Sequence, residues 1–140
     1  MITQETTKGV CWNLLQASVC ARKQLQAIAD QQKLTTTQLH ALCLLHPDKP
    51  IAMHALSETL SCDASNVTGL VDRLTQQGFV ERREAPEDRR VKMIALTAAG
   101  TQLRSTALSS MLVSQPDGLA NLTSGERAML DELLAKMLRK

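Results

Sequence analysis

Residues 81–92, Glu-Arg-Arg-Glu-Ala-Pro-Glu-Asp-Arg-Arg-Val-Lys, hold five cations (Arg82, Arg83, Arg89, Arg90, Lys92) and four acids (Glu81, Glu84, Glu87, Asp88). A guanidinium group presents a planar fork of donors that fits phosphate and carboxylate oxygens, so such a cluster can grip an anion. The acids speak against that unless each has a task of its own. Val80 before the run and Val91, Met93, Ile94 and Leu96 after it have strand composition. The charges therefore fall on a β-hairpin with Ala85-Pro86-Glu87 and Asp88-Arg89-Arg90 at its tip. A solvated turn and an anion-gripping hairpin are both open at this point.

A second polar set lies just upstream. Between Asp63 and Gln77, Val67, Leu70, Val71 and Leu74 recur at i, i+3, i+4 and i+7, which defines one buried helical face. Asp63 is a good N-cap, and Gly78 stands where a left-handed residue ends a helix. Ser65, Asn66, Thr68 and Gly69 then face outward near the helix start. They are short and offer no bulk against close approach. A helix that reads base edges uses residues of this kind near its N-terminus, and asparagine can pair bidentately with adenine.

Other reactive side chains are few. Cys11 and Cys20 fall in one helix, with Lys8, Arg22 and Lys23 as the local cations. At ~100° and ~1.5 Å per residue they lie on opposite faces of one helix, about 13 Å apart, too far to bridge within one chain. Cys43 and Cys62 complete the set. His40, Cys43 and His46 follow one another at i, i+3 and i+6, but zinc would need a fourth ligand, for which His54 is the only further histidine. No metal and no other cofactor is expected. The chain has no glycine-rich phosphate loop, no G-x-S-x-G, no H-E-x-x-H and no evident carboxylate pair, so an enzyme is not expected.

The elements that must position these residues read mostly as helices. Val10, Leu14, Ala17, Ala21, Leu25 and Ile28 form a helical stripe over residues 8–31. Thr35 and Gln38 have capping-box spacing ahead of Leu39, Leu42 and Leu45, and His46-Pro47-Asp48-Lys49-Pro50 ends that helix. Residues 51–60 read as a short helix with Leu56 and Leu60 inward, joined tightly to the helix from Asp63. After the hairpin, Thr97 caps a helix running to about Val113. Residues 114–121 read as a linker turn. Thr123 and Glu126 form a second capping box, and Met129, Leu130, Leu133, Leu134, Met137 and Leu138 give the last helix a wide apolar face.

Composition agrees. Of 140 residues 44% are hydrophobic, yet Trp12 and Phe79 are the only aromatics. A core of Leu, Ala, Val, Ile and Met suits helices better than a sandwich or barrel. The net charge of +2 and a pI near 8.4 are too mild to identify a nucleic-acid partner, so the distribution of charge has to decide. No run of about 18 apolar residues and no secretory signal pattern is present, which makes a cytoplasmic protein without membrane contact the expectation. Two short helices, a tight turn and a charged hairpin make a winged helix-turn-helix. The wide apolar faces of the terminal helices call for a second copy of the chain.

Three stretches carry a family resemblance: "LTTTQLHAL", "ALSETLSCDASNVTGLVDRLTQQGFVERREAPEDRRVKMIALTAAG" and "LTSGERAMLDELLAKM". The order V-D-R-L, G-F-V-E-R, D-R-R, L-T-x-x-G is the specific part, and with it the chain resembles the MarR family of bacterial transcription regulators. The resemblance implies a mostly α fold with a small β-hairpin wing, and an intertwined homodimer. Residues 1–33 would form an N-terminal dimerisation helix, 34–100 the winged helix-turn-helix, and 101–140 C-terminal dimerisation helices. It implies a regulator, in the main a repressor, that binds a pseudo-palindromic double-stranded operator and is released by a small-molecule effector or an oxidant. A protein-docking winged helix and a thiol- or metal-sensing variant are the alternatives; for the thiol-sensing one, the resemblance points to Cys11 or Cys20 as the redox thiol, since some regulators of this kind sense peroxide near the start of the first helix.

Residue by residue, the resemblance assigns DNA contact to Ser65, Asn66, Thr68, Gly69, Arg73, Asp88, Arg89 and Arg90. Arg90 would probe the minor groove, Asp88 would orient it through an ion pair with Arg73, and Arg89 would take a phosphate. Removing the negative charge of Asp88 should then weaken DNA binding, the reverse of what simple electrostatics predicts.

Overall fold

The computed structural model describes residues 4–113 and 117–139. Its elements are α1 (Gln4–Gln31), α2 (Thr36–Leu44), β1 (Ile51–Ala52), α3 (Met53–Leu60), α4 (Ala64–Gln76), β2 (Val80–Glu84), β3 (Lys92–Leu96), α5 (Ala98–Val113), a 3₁₀ turn (Asp117–Asn121) and α6 (Ser124–Leu138). The chain is mostly α with one small antiparallel sheet in the order β1-β3-β2. No described helix is long and apolar enough to cross a membrane.

Two compact units are present, Leu25–Leu112 and the terminal segments Met1–Gln24 with Val113–Lys140. The first contains the hydrophobic core. Leu39, Leu42, Leu45, Leu56, Val67, Val71, Leu74, Val80 and Ile94 are fully buried there. In the second, the apolar stripe of α1 finds little cover: Val10, Leu14, Leu15 and Val19 are exposed, as are Met129, Leu133, Met137 and Leu138 on α6. Among the described residues, the buried residues of the 28-residue α1 are Ile28 and Ala29, and α6 buries none.

Local chemistry sets the boundaries. Thr35 and Thr123 each accept the N3 amide while Gln38 and Glu126 return to the cap amide, so both capping boxes form. The bonds from the Thr123 amide and hydroxyl hold the Glu126 carboxyl below the usual carboxylate range. Asp63 occupies the N-cap position of α4, but its side chain makes no cap hydrogen bond. Between α3 and α4, Ser61 turns the chain with φ 51°, and the Ser57 hydroxyl donates to the Cys62 carbonyl (2.8 Å) across the turn.

Two glycines matter for opposite reasons. α4 ends in a Schellman motif: the Gly78 amide bonds the Thr75 carbonyl (3.0 Å), and the Phe79 amide bonds the Leu74 carbonyl (2.9 Å), with Gly78 at φ 78°. A Cβ on Gly78 would meet nothing within 4 Å, so backbone conformation alone selects glycine there. Gly78→Ala should cost about 1–2 kcal/mol, the price of a left-handed L-residue, and urea unfolding will read it. Gly100, in α5, has the opposite constraint: a Cβ there would lie 1.9 Å from the Phe79 carbonyl oxygen.

One element departs from the sequence expectation. Ile51 and Ala52, read as the start of a helix, form β1 and pair with Ile94 and Met93. A two-residue strand has no periodicity of its own, so its partner on β3 decides it.

Candidate nucleic-acid interface

β2 and β3 pair in the register Val80↔Leu96, Glu81↔Ala95, Arg82↔Ile94, Arg83↔Met93 and Glu84↔Lys92. Alternation places Val80, Arg82 and Glu84 on the face shared with Ile94 and Leu96, and Glu81 with Arg83 on the other. Near α4 the first face is apolar and buried. Toward the tip the same face becomes charged.

Three of the four hairpin acids have partners. Glu81 pairs with Arg83, and Glu84 pairs with Lys92 across the strands (3.2 Å). The Asp88 carboxylate accepts the backbone N–H of Arg90 (2.9 Å), while the Val91 amide bonds the Asp88 carbonyl (3.0 Å) and the Ala85 amide bonds the Val91 carbonyl (3.0 Å). Asp88 therefore folds the tip as an Asx turn. Arg89 and Arg90 stand exposed on that turn, and neither joins an ion pair among the described residues. Glu81, Glu84 and Asp88 neutralise or pin their neighbours, while Glu87 and the two tip arginines stand exposed outside any ion pair among the described residues.

The ion pair of Asp88 with Arg73 is not formed. Arg73 lies on the side of α4 that carries Asn66 and Gly69, where it lines an open groove of about 310 Å³ with Thr35, Thr37, Gln38, Ser65 and Leu70. The wing is met by the next residue round the helix, ~100° away. Asp72 pairs there with Arg82 of β2 at 2.6 Å.

A larger open cleft, about 770 Å³, lies between α3, the start of α4 and the wing. Its lining includes His54, Ser57, Ala64, Thr68, Arg82, Arg83, Glu84, Arg90 and Lys92. Of its four fixed cations, Arg82, Arg83 and Lys92 are each paired with a carboxylate (Asp72, Glu81 and Glu84), so Arg90 supplies the one positive charge in excess that lets the cleft attract an anion. Thr68 donates its hydroxyl hydrogen to the Ala64 carbonyl (2.9 Å), which leaves the oxygen as an acceptor toward the cleft. Ser65, Asn66, Thr68 and Gly69 are all exposed, and the two grooves run along either side of them. The structure thus brings Thr68 and Arg90 to one groove and Ser65, Asn66, Gly69 and Arg73 to the other, with Asp88 and Arg89 on the wing tip beyond.

Sequence reasoning places Arg82, Arg83 and Lys92 in the charged hairpin without singling them out as DNA contacts, and it does not assign His54 and Ser57 to this surface. Strand alternation from Val80 could have placed Arg82. Nothing in the sequence could have placed His54 or Ser57, because their position follows from the packing of α3 beside the wing.

The other candidates stand apart. Cys11 and Cys20 are exposed on α1, and all four cysteines are free thiols. Burial pushes the Cys43 thiol up, with Arg104 opposing, so Cys43 is a poor thiolate. Arg104 also donates to the Cys43 carbonyl (3.3 Å) and ties α5 to the end of α2. Among the described residues, no three His, Cys, Asp or Glu side chains are grouped to hold a metal ion.

Comparison with known proteins gives this surface its context. The MarR family model matches residues 34–92. The Escherichia coli multiple antibiotic resistance protein MarR is 33% identical over 108 residues, 75% of this chain and 74% of that protein. The Bacillus subtilis organic hydroperoxide resistance transcriptional regulator is 30% identical over 99 residues, 71% of this chain and 67% of that protein. The crystal structure of a cysteine-to-serine mutant of E. coli MarR complexed with operator DNA superposes with a TM-score of 0.72 at 26% identity, covering 99% of this chain and 100% of that one. Sequence and winged-helix fold agree: the chain belongs to the MarR family of DNA-binding transcriptional regulators.

Proposed function

We propose that the chain is a repressor that binds a pseudo-palindromic operator as a homodimer and is released by a small molecule or an oxidant. The observation that carries the reading is the open cleft beside a helix start of short polar residues, with Arg89 and Arg90 on the adjoining tip in no ion pair among the described residues. In this reading α4 enters the major groove, where Asn66 pairs with a base and Ser65 and Thr68 meet bases or phosphates across the close approach that Gly69 permits. Arg73 and Arg89 take phosphates. Arg90, its backbone pinned by Asp88, enters a narrow minor groove.

Support for a second copy comes from the terminal helices. Trp12 is 61% exposed, Met129 57% and Leu133 51%, an apolar exposure that single-chain proteins rarely leave uncovered. A two-fold dimer would cover these faces and present two winged helices to two half-sites.

Selection of bound duplexes from a random library, followed by gel shift and sedimentation, tests the reading. The expected product is an inverted repeat bound by two chains. Enrichment of no sequence would leave a protein-docking winged helix as the better account. Release has a specific candidate in the exposed Cys11 and Cys20, and one relative is named for organic hydroperoxide resistance. Mild peroxide should then dissociate the selected duplex, and Cys11→Ser or Cys20→Ser should abolish the response. A wild-type complex indifferent to peroxide would leave a small-molecule effector.

A further inference from the structure

Thr68 and Asp72 are one turn apart on α4 and share the side that faces the wing. A carboxylate on that side repels the phosphates that the cleft attracts. Its Oδ1 is instead 2.6 Å from a terminal nitrogen of Arg82. Arg82 reaches it from β2, on the strand face shared with buried Val80, and lines the cleft with Thr68, Arg90 and Lys92. The pair joins α4 to the base of the wing at the edge of the anion-attracting surface. It keeps solvent access, with 38% of the Arg82 and 48% of the Asp72 side chain exposed. The remaining N–H groups of the guanidinium are free for a second acceptor.

We infer that Asp72 is a positioning residue for DNA recognition: it holds the Arg82 guanidinium in the cleft, so that Arg82 meets a phosphate in one geometry and the wing and α4 engage a duplex in one register. The inference rests on the DNA-binding reading above. An arginine held before binding has less side-chain freedom to lose on contact. The carboxylate thus strengthens binding to DNA of the right shape while its charge disfavours any other.

The test uses a duplex selected from a random library by the wild-type protein, and a scrambled duplex of the same length and composition. Asp72→Asn is isosteric and the pair is half-exposed, so thermal melts should show the fold retained. Binding of the selected duplex should weaken roughly five-fold, a coupling of ordinary size for residues in contact. Binding of the scrambled duplex should be unchanged or tighter, and Asp72→Glu should restore most of the discrimination. Arg82→Ala should weaken binding, and Asp72→Asn added to it should cost nothing more. Equal or tighter binding of the selected duplex by Asp72→Asn, the behaviour of a plain lost negative charge, would overturn the inference. So would losses that multiply in the double variant. A wild type that selects no duplex would instead bring down the DNA reading on which the inference stands.

Discussion

Gly100→Ala should destabilise the winged-helix unit by on the order of 3 kcal/mol, the upper end of what overpacking a filled site costs. The added Cβ would lie 1.9 Å from the Phe79 carbonyl oxygen, 2.9 Å from its carbon and 3.1 Å from a methyl of Leu96. The oxygen cannot simply yield. It accepts the Thr97 amide (3.1 Å), while the Thr97 hydroxyl donates to the Gly78 carbonyl (2.6 Å) and accepts the Gly100 amide (3.0 Å). The L-T-x-x-G string is therefore one device: Leu96 fills the core, Thr97 ties the start of α5 to the end of α4, and Gly100 lets the helix backbone close on the chain entering β2. Displacing it would disturb α4, β2 and α5 together. Denaturant unfolding at fixed chain concentration should show the loss as a lower midpoint. A variant within about 0.5 kcal/mol of wild type, the range of an ordinary surface change, would mean that α5 does not dock this closely.

Arg90→Ala should leave stability unchanged and weaken binding of the selected operator by roughly 1–3 kcal/mol, the range for one specific contact. The side chain is exposed and joins no described ion pair, so its removal leaves nothing buried without a partner. Asp88 separates the two accounts of the wing. If the carboxylate worked by charge, through Arg73, Asp88→Asn would be as damaging as Asp88→Ala. In the Asx turn, the Arg90 amide needs only a side-chain oxygen at position 88, which asparagine also offers. Asp88→Asn should therefore bind as well as wild type or better, and Asp88→Ala should bind less well. Fluorescence anisotropy across a salt series will read both, with a steep negative slope from phosphate neutralisation in every variant.

What the sequence made legible was local. The capping boxes at Thr35 and Thr123, the stripe Val67, Val71 and Leu74 with half-buried Leu70 at its edge, and the left-handed Gly78 depend on residues within one or two turns of one another, and each is present. The outward face of Ser65, Asn66, Thr68 and Gly69 followed from the same stripe. Pairing across elements was not legible. Whether Arg73 or Asp72 faces the wing depends on how α4 rotates on the core, which Val67 and Val71 set only after they are buried. β1 needed Ile94. Sequence pairs Asp88 with Arg73, whereas the carboxylate bonds the Arg90 backbone amide instead, because an Asx turn and an ion pair compete for the same oxygens. The unburied faces of α1 and α6 were read from composition, and in the single chain they remain uncovered.

The most direct test of the central claim, that α4 and the Arg90 wing work together on one operator, is a hydroxyl-radical footprint of the wild type and Arg90→Ala on the selected duplex. The wild type should protect two half-sites about one helical turn apart, 10–10.5 bp centre to centre or a multiple of it, with minor-groove protection flanking each. Arg90→Ala should lose the flanking protection and keep the half-sites. Identical footprints from the two proteins, or protection without two-fold symmetry, would contradict the account.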